Sequence, residues 1–222
     1  LVSIVTCTNK PIQMENIFKN YLQQDWENKE LIIILNRNDM EISTWKKKAE
    51  QYSNVSVFQL PAKVTLGQCL NFAVSKAKYD IIAKFDDDDY YSPHYIAQAL
   101  QVFEEKQADI VGKSHLFTYF QMYKLLCIRK AINRIGGGTI MFRKRVFEKV
   151  QFPAKNTGED GTFLKNARLR GFKLCTTNPF NYVYIRKASN HHTWKISRRR
   201  LRRMCFNKRI TDNYILHVSK AP

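Results

Sequence analysis

Asp86, Asp87, Asp88 and Asp89 stand side by side at the end of an apolar run, 80–85, and are followed by Tyr90 and Tyr91. Adjacent carboxylates repel one another, so a merely exposed run favours disorder. Pinned at the end of a strand, they suit a hard cation. Mg2+ takes oxygen ligands, typically one or two carboxylates plus substrate phosphates, and Mn2+ suits the same set. A solvated acidic turn is the competing reading. A second acidic pair, Glu159-Asp160, lies between Gly158 and Gly161 at the start of a helix-like segment. Carboxylates there cap free amides and match the helix dipole. The alternative is a general base directed towards the first cluster.

Three further features could carry chemistry. Gly136-Gly137-Gly138 could bind phosphate through backbone amides, let a substrate lie against the chain, or make a simple turn. It matches neither a P-loop nor a GxGxxG motif. His191-His192 is the only histidine pair. It could complete an oxygen-rich metal site or contact a phosphate, or it is exposed surface, since zinc wants three or four ligands and no HExxH is present. The run Arg198-Arg199-Arg200-Leu201-Arg202-Arg203 could meet nucleic acid, anionic lipid or an acidic partner, or be a solvated helix. Aromatic interleaving is poor there, and no nucleic-acid-binding motif is present.

The elements that must position these residues come from a chain of 222 residues, which suits one large domain. Its apolar content of 44% supports a sizeable core and excludes general disorder. The net charge of +18 is unevenly spread: residues 186–209 hold ten basic residues and no acidic one. The body is thus only moderately basic. No stretch approaches the roughly 18 consecutive apolar residues of a membrane-spanning helix. Residues 1–6 do not read as a signal peptide. The missing initiator Met and the basic end suggest a domain excised from a longer protein. Five scattered cysteines without a C-x-x-C pair argue against a disulfide framework or zinc site, and fit a reducing cytosol.

The first half alternates strand-like and helix-like runs. Residues 1–6, 31–35, 55–58 and 80–85 read as strands. Of these, 31–35 is continuously apolar, as in a strand covered on both faces. Helical spacing marks 14–22, 45–52, 66–77 (with Thr65 as N-cap) and 96–103. This alternation predicts an α/β fold, a mainly parallel sheet with helices on both faces and ligands beyond the carboxyl ends of the strands. Thr8-Asn9, residues 36–39 and the four aspartates then share one edge. The second half predicts a strand near 109–111, an antiparallel hairpin from 115–120 and 123–128, and a strand at 139–142. A helix from Glu159 ended by Gly171 and strands at 172–175 and 182–185 complete it. The two halves are expected to share one sheet.

Together these pieces resemble family 2 glycosyltransferases of the GT-A fold over about residues 1–195. The likeness rests on residues 2–9 as first strand and nucleotide turn, and on Gln24, Trp26 and Glu30 leading into strand two. It further rests on Gly67 to Asn71 as a G-x-x-x-N helix start, on Asp86 to Asp89 as the D-x-D-D motif, on Gly137-Gly138-Thr139 and on Glu159-Asp160. Where many relatives carry Asp-Asp-Gly-Ser after strand two, this chain has Asn36-Arg37-Asn38-Asp39, which leaves the donor base open. A narrower likeness is to bacterial glycosyltransferases of spore-coat maturation.

The resemblance implies a nucleotide-sugar half, 1–112, an acceptor half, 113–195, and a basic helical extension, 196–222. It implies an inverting hexosyltransferase-type enzyme (EC 2.4) that uses Mn2+ or Mg2+ and moves a sugar from a UDP-, GDP- or dTDP-sugar to a hydroxyl of a glycan, lipid or protein-linked acceptor. Thr6, Thr8, Asn9, Asn36, Asn38, Asp39, Lys63, Gly67, Asn71, Asp86, Asp87 and Asp89 would bind the donor, and Gly137, Gly138 and Thr139 would face the acceptor. Asp88 would hold the metal with Asp86 and one of His191 and His192. Asp160 would be the base, supported by Glu159. The implied location is cytoplasmic, membrane-peripheral or spore-associated, with no nucleic acid as partner and a membrane or protein contact through 196–209. The rival functions are a GT-A-like binding module without catalysis, an anionic-surface or nucleic-acid binder acting through the tail, and a nucleotidyltransferase.

Overall fold

Four apolar runs of the first half form β1 (Val2–Thr8), β2 (Lys29–Leu35), β3 (Val55–Gln59) and β4 (Ile81–Lys84). A computed structural model, which describes residues 1–187, 199 and 203–221, sets them parallel in the order β4-β1-β2-β3. In β2, Leu31, Ile33 and Leu35 enter one buried cluster and Ile32 and Ile34 another. The strand is therefore covered on both faces, as its uninterrupted apolar run predicts. Phe18 of α1 (Met14–Leu22), Trp45 of α2 (Ile42–Ala49) and Phe103 of α4 (Tyr95–Lys106) fill the first cluster. Leu70 of α3 (Leu66–Lys76), Val146 of α5 (Lys144–Phe147) and Phe163 of α6 (Glu159–Leu169) fill the second. Thr65 caps α3 as expected, and Gln68 closes a capping box with it.

The sheet is extended by residues far along the chain. β9 (Met141–Arg143) lies antiparallel between β4 and β6 (Ile110–Lys113), and β10 (Leu174–Thr177) lies parallel to β6. The full order is β10-β6-β9-β4-β1-β2-β3. Because β9 runs against β4, its beginning lies where β4 ends. That reversal brings Gly137-Gly138-Thr139 to the aspartate run.

The expected single shared sheet is not what forms. A second, five-stranded sheet has the order β12-β8-β7-β11-β5. Its members are β5 (Tyr90–Tyr91), β7 (His115–Phe120), β8 (Leu125–Lys130), β11 (Tyr182–Arg186) and β12 (Cys205–Ile210). β7 and β8 are the expected antiparallel hairpin. Within the basic extension expected from residue 196, the described residues include a strand at Cys205–Ile210 and a short helix at Ile215–Val218. The strand pairs antiparallel with β8, whose free edge supplies partners for its backbone. The same pairing joins Cys127 to Cys205 as a disulfide, their Cα atoms 5.7 Å apart. This corrects the expectation of unpaired cysteines. Two thiols 78 residues apart become neighbours only through strand pairing, which spacing does not reveal. Cys7, Cys69 and Cys175 remain free. Among the described residues, no helix is long and apolar enough to cross a membrane.

Candidate active site

The aspartate run is built in from below. Asn16 and Asn20 project from α1 and donate to the backbone carbonyls of Asp87 and Asp89 at 2.8–3.0 Å. Asn20 also accepts from the Tyr91 N–H. The Tyr91 hydroxyl accepts from the Asp86 N–H at 2.7 Å and donates to the Gly138 carbonyl at 2.6 Å. Its ring stacks on Phe85 with centroids 3.7 Å apart. One tyrosine thus ties the aspartates to the glycine turn before β9. Asp89 points inward, 1% exposed, and accepts from the Tyr182 hydroxyl and the Ile185 N–H. Burial, with Asp88 and Asp86 beside it, raises its pKa well above the carboxylate range. Asp89 is therefore a link between the two sheets.

Asp87 and Asp88 face β1. The Thr8 hydroxyl donates to Asp87 at 2.6 Å, and Lys10 Nζ lies 2.8 Å from Asp88 Oδ2 and 3.5 Å from Asp87 Oδ1. Burial and Asp88 push Asp87 up to about 6, against the pull of Lys10 and Thr8. Thr6 is buried within β1.

On the other side Lys84, the last residue of β4, is buried with a side chain 4% exposed. Its ammonium donates to Asp86 Oδ1 at 2.6 Å, to Asp160 Oδ2 at 3.3 Å and to the Gly137 carbonyl at 3.3 Å. Burial alone would lower its pKa, but Asp160, Asp86 and Glu159 outweigh that and hold it well above normal. Lys84 is thus the cation that joins the two acidic clusters singled out in the sequence. Burial raises the Asp160 pKa, opposed by Lys84 and reinforced by Asp86. Glu159 is pushed up to about 7 by burial and then by Asp160. Asp160 Oδ1 and Glu159 Oε2 are buried without a hydrogen-bond partner among the described residues. A buried carboxylate whose proton affinity is raised and which keeps one oxygen free is equipped to take a proton.

The glycines serve this geometry. A Cβ at Gly137 would come within 2.1 Å of Asp160 Oδ2, and one at Gly138 would press on Tyr182, Asp86 and Asp89 at 2.6–3.0 Å. Close approach, not phosphate cradling, is what these positions require. Thr139 is fully buried and is taken up by Gly136 and Lys113.

The remaining expected donor residues are placed as follows. Asn36 donates to the carbonyls of Pro61 and Val64, and Asn38 accepts from the Ala62 N–H. Asp39 is ion-paired with Arg37 at the surface. Asn9 and Lys63 are exposed beside this turn. Gly67 and Asn71 grip the segment that leads to Glu159. The Gly67 N–H donates to the Lys155 carbonyl, its Cα faces the Pro153 carbonyl with no room for a side chain, and Asn71 pairs both ways with the Phe152 backbone. Their polar groups position a loop. His191 and His192 lie outside the described residues. Lys10, Lys84, Tyr91, Tyr182 and the α1 asparagines were not singled out from sequence. Only Lys84, a charge closing an apolar strand, carried a visible signal.

A metal at this site has to be judged on its donors. Among the described residues no three His, Cys, Asp or Glu side chains converge as a metal cage. One or two carboxylates at Asp88 and Asp86 fit a cation that completes its shell with a diphosphate and water.

Two solved structures share the fold. S. aureus TarS 1-349 in complex with UDP-GlcNAc aligns with a TM-score of 0.69 at 17% identity over 88% of this chain and 62% of that one. Mannosyltransferase PcManGT from Pyrobaculum calidifontis, in complex with GDP-Man and Mn2+, aligns with a TM-score of 0.66 at 15% identity over 87% and 58%. The chain thus spans about 60% of their length, and the fold is GT-A-like. A comparison with curated protein sequences gives no match. The sequence profile of Glycosyl transferase family 2 matches residues 3–121, which carry β1 to β4, the aspartate run and the β7 strand. That segment is more than half of the 222 residues, and the chain belongs to glycosyl transferase family 2.

Proposed function

We propose that this chain is a metal-dependent, inverting glycosyltransferase that moves a sugar from a nucleotide-diphosphate sugar to an acceptor hydroxyl. The observation that carries the reading is Lys84, whose ammonium holds Asp86 and Asp160 at 2.6 and 3.3 Å. Donor-side and acceptor-side carboxylates are thereby fixed across one small space. TarS and PcManGT, of the same fold, are seen with UDP-GlcNAc and with GDP-Man, which supports a sugar nucleotide as donor.

In this reading Asp160 takes the proton of the acceptor hydroxyl through its unpartnered Oδ1. The hydroxyl oxygen bonds to the anomeric carbon from the opposite face, and the bond from that carbon to the diphosphate breaks, the electron pair leaving with the nucleoside diphosphate. Glu159, pushed up to about 7 by burial and by Asp160, would support the base from the adjacent position. Asp88 and Asp86 would hold a divalent cation, which when bound neutralises charge developing on the leaving group. The acceptor is a hydroxyl of a glycan, lipid or protein-linked acceptor, and the spore-coat likeness of the first strand, the Gln24 segment and the turn from Leu35 to Met40 supports a spore-coat glycan.

The decisive experiment is Asp160→Asn. Transfer from a panel of UDP-, GDP- and dTDP-sugars should fall by about 10²–10⁴-fold, the usual contribution of a general base. Nucleotide affinity in Mn2+ should stay near wild type. Normal turnover by the variant would exclude Asp160 as base. No hydrolysis or transfer by the wild-type protein with any donor would favour a binding module instead.

A further inference from the structure

The proposed reaction leaves one charged residue at the site without a task. Lys10 follows β1, and its ammonium lies 2.8 Å from Asp88 Oδ2 and 3.5 Å from Asp87 Oδ1. It differs from Lys84 in its access to solvent. Lys84 is 4% exposed, whereas the Lys10 side chain is 29% exposed and can leave. Its root is fixed by the residue that sets the carboxylates. The Lys10 N–H donates to the Thr8 hydroxyl at 3.1 Å, and that hydroxyl donates to Asp87.

Asp88 is therefore neutralised by the chain itself. A divalent cation on the same carboxylate would sit about 2.0–2.2 Å from its oxygen. Ammonium and metal compete for that carboxylate, because two cations at such separations repel strongly in a partly desolvated site. A metal on Asp88 favours withdrawal of Lys10, and a withdrawn ammonium gains most if an anion receives it nearby. A diphosphate beside the metal is such an anion.

We propose that Lys10 is a built-in counterion that keeps free divalent metal off Asp88 and yields to metal and nucleoside diphosphate together. The inference rests on the metal-dependent reading above. Its consequence is thermodynamic coupling. The diphosphate raises metal affinity, and the metal raises diphosphate affinity by the same factor.

The test is calorimetric and needs no turnover. Mn2+ is titrated into the wild-type protein, Lys10→Met and Lys10→Arg, alone and with saturating UDP or GDP. Wild type should bind Mn2+ weakly alone and at least tenfold more tightly with the nucleotide. Lys10→Met should bind Mn2+ alone about tenfold more tightly than wild type, bind nucleotide less tightly, and lose most of the coupling. Lys10→Arg should retain it. Unchanged Mn2+ affinity of Lys10→Met without nucleotide would overturn the counterion role while leaving the metal reading intact. Absence of Mn2+ binding by wild type under every condition would overturn both.

Discussion

Replacing Lys84 by methionine removes the charge that joins the two acidic clusters and keeps most of its volume. Its ammonium faces Asp86 at 2.6 Å and Asp160 at 3.3 Å. The two losses are unequal. The Asp86 side chain is 36% exposed, so water takes over much of its charge, and a screened pair of that kind is worth about 0–1 kcal/mol. The Asp160 side chain is 19% exposed, and its other oxygen has no partner to fall back on. Stranding a buried carboxylate destabilises by about 3–5 kcal/mol. In a chain of this size each kcal/mol lowers the melting temperature by about 2–4 °C, so a fall of about 6–20 °C is expected. The loss depends on pH. Without Lys84 the folded-state pKa of Asp160 rises further above its unfolded value. The native state then holds more protons than the unfolded chain, and the variant loses stability as pH rises. Its deficit should be largest near pH 8 and shrink towards about pH 5. Urea denaturation followed by circular dichroism at both pH values measures this directly. A deficit below about 1 kcal/mol, or one of equal size at both pH values, would refute Lys84 as the buried countercharge.

Three other substitutions probe the same geometry. Gly137→Ala places a methyl within 2.1 Å of Asp160 Oδ2, so the carboxylate must shift. Displacements of about 1 Å cost near 10²-fold in rate, and steady-state kinetics should show kcat falling by that order with the donor KM little changed. Glu159→Gln removes a carboxyl raised from 4.5 to about 7 in the fold. Such a group lowers wild-type stability as pH rises between those two values, so the variant should be the more stable protein near pH 8 and no better near pH 4 by thermal melting. Cys127→Ser opens a bridge that closes a 78-residue span, and should lower stability by about 2–4 kcal/mol. Wild type should lose a similar amount in reductant and the variant nothing.

What could be read in advance was whatever the chain encodes locally. The continuous apolar run of β2, the cap at Thr65 and the strand ending in four aspartates each depend on a few neighbouring residues, and each appears where expected. What stayed hidden depends on distant pairing. β9 enters the first sheet through partners about 60 residues earlier, Ile82 with Phe142 being one. No periodicity reports such a register. The second sheet and the Cys127–Cys205 bridge are invisible for the same reason. At the site, the two acidic clusters were legible, but the cations and hydroxyls that balance them were not. Lys10, Tyr91 and Tyr182 look ordinary until folding brings each against an aspartate or its backbone. Asn36 and Asn71 also hold neighbouring loops, through hydrogen bonds to the Pro61 and Phe152 carbonyls.

The antiparallel insertion of β9 also sets a schedule for biosynthesis. Strands β1 to β4 leave the ribosome early and can pair among themselves as soon as Lys84 has emerged. One edge of β4 then waits, because its partner is β9, and β6 cannot join the same sheet until β9 lies between them. A nascent chain that stops anywhere between residues 90 and 140 therefore carries an open, apolar strand edge beside four aspartates that still lack their contacts to Tyr182 and Ile185. Such edges recruit other strands. The chain is thus most exposed to misassembly, and most in need of a chaperone, during the interval in which the four aspartates already exist and the strands that frame them do not.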